Sequence, residues 1–160
     1  MNVPLINIQD VVDFADLDPN IQQRKFNQYI IMAQDRFLSG VIGVDCLTGL
    51  VDRTCDNTLT TDDVNLLDLI KPYLVNYSYG LYVGSSMKLS MNSGVSTLTG
   101  DNATVIGQQS RVNESKKYIL LGEKQAEKIV QFLIDNPTLY PCYDDELCKI
   151  KTTYSPYFGL

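Results

Sequence analysis

The sequence predicts a mainly α protein: a small helical bundle of about four to five helices, a protruding β-hairpin loop and an extended C-terminal arm. Three observations lead there. Apolar residues recur at intervals of three and four through most of the first 136 positions. Proline and capping residues punctuate those runs at Asp18-Pro19, at Thr60-Thr61-Asp62-Asp63 and at Asn136-Pro137. Two segments, 88–110 and 137–160, carry no helical period. The expected organisation is therefore a helical domain over 1–136, with loop 88–110 inserted before its last long helix, followed by an arm over 137–160.

A short helix is expected from Asn7 or Ile8 to about Leu17, with Val11, Val12 and Phe14 as its apolar side. Asp18 then caps a second helix with Pro19 in its first turn, and Gly40 suits its end after Ser39. Phe26, Ile30, Ala33 and Phe37 form its inner stripe. A short helix follows near residues 44–52. Thr60 or Thr61 caps the third long element and places Asp62 and Asp63 at its positive end. Its stripe, Val64, Leu67, Ile70, Leu74, Tyr77 and Leu81, is flanked by Leu66, Leu69 and Tyr73, so this helix belongs at the centre. Pro72 predicts a kink or two abutting helices. The last helix runs from about Ser110 to Asn136 with Ile119, Gly122, Ala126, Ile129, Val130 and Leu133 inward.

Composition removes several kinds of chemistry. The chain has no His and no Trp, so histidine acid–base catalysis and most zinc sites lose their usual groups. The reading expects no enzyme, no catalytic residues, no metal and no cofactor. No apolar run is long enough to span a membrane, and MNVPLINIQDVVDF lacks the pattern of a signal peptide. The expected site of synthesis is therefore a cytoplasm, with no membrane partner. Net charge is −6, with eleven acidic against four basic residues over 1–70, and eight against nine over 71–160. Such a chain grips phosphate backbones poorly. The unequal halves could serve contacts between copies, although solvated helix faces explain most of the charges.

Four cysteines, Cys46, Cys55, Cys142 and Cys148, match no zinc or redox spacing and are expected as free thiols, with a short Cys142–Cys148 bridge as the minor alternative. Asp52, Thr54, Asp56, Thr58, Thr60 and Asp63 have the spacing of a calcium loop, but Asn57 and Asp63 stand where Gly and Glu are wanted. A loop ending in a helix cap explains the same residues. Asp10, Asp13 and Asp16 share a face, and a solvated face accounts for them without a metal. Asp144, Asp145 and Glu146 are either a docking patch or exposed arm residues. Tyr73 and Tyr77 read as core; Tyr79 and Tyr82 point elsewhere by helical phase, so they serve packing or an interface.

Residues 90–110, SMNSGVSTLTGDNATVIGQQS, contain three glycines but no lysine where a phosphate loop needs one. Strand-forming runs bracket Gly100, Asp101 and Asn102, so a hairpin is expected, with Gly94, Val95, Leu98, Val105 and Ile106 beside that turn. An isolated hairpin is barely stable in water and needs a surface to lie on.

Taken together, YIIMAQDRFLSGVIG, the proline-interrupted LLDLIKPYLVNYSYGLYVG, the small-residue opening KLSMNSGV, a charged last helix and TLYPCY resemble the head–tail connector, or adaptor, proteins of tailed bacteriophages, particularly Bacteroides-infecting and crAss-like phages. The resemblance extends over roughly residues 5–143. It implies a structural virion protein at the head–tail junction, assembled in the bacterial host cytoplasm. It further implies a homo-oligomeric ring, commonly of twelve copies, bound to the portal protein, carrying downstream neck or tail proteins and extending the channel through which genomic DNA passes without sequence-specific binding. The 88–110 loop would meet a neighbour or line the channel. The arm, with Tyr140, Tyr143, Tyr154, Tyr157, Phe158 and Leu160, would dock on portal or neighbour. The rival reading is a helical binding module that uses the Tyr-rich helix as a peptide or ligand groove.

Overall fold

The computed structural model describes residues 3–15, 23–93 and 108–144. Its helices are α1 (Ile8–Ala15), α2 (Gln23–Ala33), α3 (Ser39–Ile42), α4 (Val44–Cys55), α5 (Thr61–Ser93) and α6 (Gln108–Asp135). The described residues contain no strand. The expected hairpin residues Gly94, Val95, Leu98, Gly100, Asp101, Asn102, Val105 and Ile106 lie outside them. So do the expected restart at Asp18-Pro19 and the end of the arm. The loop expected over 88–110 is shorter than its composition suggests: α5 continues to Ser93 and α6 begins at Gln108.

The antiparallel α5–α6 pair is the frame. At its centre the backbones approach closely through small residues. A Cβ on Gly80 would sit 3.0 Å from the Ile119 side chain and 3.2 Å from the Ser115 carbonyl oxygen. The Ser115 hydroxyl, fully inside the fold, donates to the Gly80 carbonyl at 2.7 Å. One helical step along, Gly122 accepts the Tyr77 ring, which would lie 2.4 Å from an added Cβ. The inner face expected for α6 is found, with Ala126, Ile129 and Leu133 buried and Ile119 and Val130 packed at its edge.

Helix α5 is central, and its buried face runs through Leu66, Ile70, Tyr73, Leu74 and Tyr77. Val64, expected at the head of that stripe, is 45% exposed because the buried face begins on the Leu66 side of the helix. Pro72 neither ends nor divides the helix. Four residues on, the Asn76 amide donates to the Pro72 carbonyl at 2.6 Å.

Helix α2 departs from expectation where it meets α3. Instead of ending after Ser39, the chain passes through a π-helical turn, Gln34–Leu38, directly into α3. A wide turn adds one residue and rotates the following side chains by about a quarter turn. Leu38 therefore takes the buried place expected for Phe37, which moves to the margin and stacks on Tyr77 at 4.9 Å. Gly40 lies within α3; the helix stops at Gly43, whose φ of 84° suits glycine. The π turn also buries Gln34. Its amide oxygen accepts from the Leu5 N–H at 2.9 Å and its NH2 donates to the Val3 carbonyl at 3.2 Å, which clamps the segment before α1.

Helix α1 begins at an Asn7 cap that exchanges hydrogen bonds with Asp10, each near 3 Å. Val11 is fully buried, but Phe14, expected beside it, is half exposed. Ile6, from the clamped segment, joins Val11 in the core.

Candidate functional site

One end of the α5–α6 frame is tied together; the opposite end carries the connecting segment 94–107. The tied end starts where α4 stops. Asn57 takes a left-handed conformation (φ 54°), and the Thr58 N–H donates to the Arg53 carbonyl at 2.9 Å, so the chain turns back sharply into α5. Thr60 and Asp63 then form a reciprocal cap. The Thr60 N–H and hydroxyl donate to the Asp63 carboxylate at 3.0 and 2.9 Å, and the Asp63 N–H donates to the Thr60 hydroxyl at 3.2 Å. Arg53 grips the same carboxylate with two hydrogen bonds, 2.9 and 2.7 Å. The calcium-like spacing around residues 52–63 thus resolves, at Asp63, into a cap and an ion pair.

Burial by itself would raise the Asp63 carboxyl pKa; the hydrogen bonds from Arg53 and Thr60 outweigh it and hold that pKa below the usual aspartate value. A folded-state pKa below the unfolded value contributes stability at pH above about 3.8, and that contribution is lost as pH falls through the lower folded value. Asp63→Asn is therefore expected to remove about 1–2 kcal/mol near neutrality, the range of a lost cap, because the Arg53 side chain is 41% exposed and its attraction partly screened. Melting temperatures of the two proteins should converge below about pH 4. A constant gap across that range would show that the carboxylate charge plays no part.

The segment after α6 closes this end. Tyr140 is buried; its hydroxyl donates to the Asp62 carbonyl at 2.7 Å and its ring lies 5.6 Å from Phe132. Burial, with Asp62 and Asp63 nearby, pushes its hydroxyl pKa up. Two residues later, Cys142 is joined to Cys46 of α4 by a disulfide across a sequence separation of 96. This corrects the expectation of free thiols for that pair. Spacing along the chain says nothing about two cysteines that only the packing of α4 beside the end of α6 brings within 5.1 Å between Cα atoms. Cys55 is free and exposed. The arm is accordingly anchored at its root: Tyr140 is used within its own chain and Tyr143 is half-buried against the core, while Tyr154, Tyr157, Phe158 and Leu160 lie outside the described residues.

The tyrosines of α5 are all placed. Tyr73 and Tyr77 are core, with ring centroids 4.8 Å apart. Tyr79 meets Tyr118 edge to face at 4.5 Å; burial first, and then Glu114, push its hydroxyl pKa up to about 12. Tyr82 packs on Phe26 and Tyr29 at 5.1 and 5.7 Å, and the Ser85 hydroxyl donates to Tyr29 at 2.6 Å. Asp10 forms an ion pair with Lys71, Asp13 accepts from Gln9, and Asp16 is outside the described residues. No group of three or more His, Cys, Asp or Glu suited to a metal occurs among the described residues.

The outward face of α6 was not singled out by sequence reading. Leu120 and Leu121 are exposed there beside Lys116, Lys117 and Lys124, forming a shallow groove with a basic rim. Its signal was present in the sequence, as two leucines off the inner stripe at three- and four-residue spacing from lysines.

Comparison with known proteins places residues 38–153 within a family of unknown function, DUF6712, and the chain belongs to that family. No curated protein and no solved structure matches it. No described helix is long and apolar enough to cross a membrane.

Proposed function

We propose that this member of the DUF6712 family is a structural, ring-forming protein of a tailed-phage neck. In this reading it joins the portal to later neck or tail proteins and extends the DNA channel. The observation that carries it is the build of the α5–α6 frame. One end is fastened by a disulfide, a cap and the Tyr140 hydrogen bond. At the other, α5 runs eight residues past the Tyr29–Ser85 hydrogen bond, about 12 Å of helix, before the segment 94–107. A frame fastened at one end, whose two long helices are joined at the other by a Gly/Ser/Thr-rich segment, suits contact with a neighbouring subunit. The net charge of −6 suits a channel past which DNA slides rather than sticks.

The rival reading, a ligand groove on the Tyr-rich helix, has less support. Tyr73, Tyr77, Tyr79 and Tyr82 all spend their rings on partners within the chain.

Replacing residues 94–107 with a short Gly/Ser linker is expected to leave helical content and melting temperature close to wild type while abolishing portal-bound rings in electron micrographs. Rings that persist would remove the 94–107 segment from the interface. A wild-type chain that stays monomeric by mass measurement in the presence of portal would overturn the ring reading itself.

A further inference from the structure

Two exposed surfaces carry both apolar side chains and a biased charge. The first is the outward face of α6. Leu120 is 50% exposed and Leu121 36%, with Lys116 and Lys117 a turn before them, Lys124 and Lys128 after, and Glu123 and Glu127 along the Leu120 edge, so the face is net basic by two charges. None of these lysines is in an ion pair among the described residues. The second lies where α1 meets α5. Phe14 is half exposed beside Asp13, and Asp68 stands on the exposed side of α5. Asp10 is paired with Lys71, with Asp13 one turn on from Asp10 in α1 and Asp68 one turn before Lys71 in α5, so this junction is net acidic.

We propose that the Lys116–Leu120–Leu121–Lys124 face of α6 docks on the Asp13–Phe14–Asp68 patch of a second copy of this chain. Charge complementarity selects the occupant: a basic strip with an apolar centre faces an acidic patch with an apolar centre, and the chain supplies both. Helix α1 packs on α2 and α5, whereas α6 packs on α5 and α3, so the two surfaces are distinct regions of the molecule. Pairing unlike surfaces is heterologous. Each copy then offers one free surface of each kind, and growth ends only when a ring closes. The inference rests on the ring reading above and names the faces that would build it.

The test uses the purified full chain without portal, so its outcome is separable from that of the portal experiment. Two double variants are compared by sedimentation velocity over a range of concentrations at low and high salt: Lys116→Glu with Lys124→Glu, and Asp13→Lys with Asp68→Lys. Each alone is expected to weaken self-association by at least about tenfold. An equimolar mixture should restore it, because each reversed surface then meets a reversed partner. Leu120→Gln, which changes no charge, should weaken association as well; circular dichroism checks that every variant remains helical. Assembly of the wild type that neither double variant disturbs would overturn the assignment of faces and leave the ring reading standing. A wild type monomeric at every concentration in low salt would overturn self-docking. Loss of retention on duplex DNA, with self-association unchanged, would overturn it in favour of a phosphate contact.

Discussion

Cys142→Ser, or reduction of the wild type, is expected to lower the unfolding free energy by about 3–5 kcal/mol and the melting temperature by roughly 10 °C. The link closes a loop across a sequence separation of 96, so most of its effect is on the unfolded chain, which loses conformations when cross-linked. Cys142 is the better position to change because it is exposed, whereas Ser at Cys46 would also bury a hydroxyl. Thermal melts of both proteins with and without a thiol reductant check this. The wild type should lose stability on reduction and the variant should not. A wild type indifferent to reductant would show that Cys46 and Cys142 are not joined in solution. The same link holds the root of the arm, so its loss should also raise amide exchange around Tyr140.

Substituting alanine for two helical glycines is expected to move stability in opposite directions. Nothing lies within 4 Å of a Cβ at Gly40, so Gly40→Ala should stabilise by about 0.5–1 kcal/mol through helix propensity and a less disordered unfolded chain. Gly122→Ala has the same propensity gain, but its Cβ would lie 2.4 Å from Tyr77 Cδ2. The ring cannot retreat easily, since Tyr73 and Phe37 stack on it at 4.8 and 4.9 Å. Overpacking of about 1–3 kcal/mol in a dense core outweighs the gain, for a net loss of about 1 kcal/mol. Melting temperatures should rise by a few degrees for Gly40→Ala and fall for Gly122→Ala. Equal shifts would mean that the contact between α5 and α6 is looser than the geometry requires. In a Tyr77→Leu background the cost of Gly122→Ala should shrink, because the atom it meets is gone.

Much of the architecture was legible. The Thr60–Asp63 cap, the central α5, the inner stripe of α6 and its end before Pro137 follow from short-range rules, since caps and helical periods act within a few residues. The errors arose where a local rule met a distant neighbour. Gly40 looked like a helix end because glycine often is one, but the π turn at Gln34–Leu38 carried the helix past it. The same turn exchanged Phe37 for Leu38 in the core. Phe14 fits the apolar side of a lone helix, yet the clamped Ile6 supplies the contact instead. Gln34 gave no sign of its role, because an amide that clamps backbone groups at Val3 and Leu5 looks in sequence like any polar residue.

By itself, the sequence determined a helical chain, the position of its longest helices and the absence of histidine chemistry, because periodicity, capping and composition are properties of neighbouring residues or of the whole count. Only the tertiary structure decided which cysteines meet, where Tyr140 is spent, why Gly122 must lack a side chain, and that Leu120 and Leu121 face outward among lysines. Those facts depend on which surfaces pack against one another. That outcome is set by the burial and fit of residues far apart along the chain, and no short window of sequence contains it.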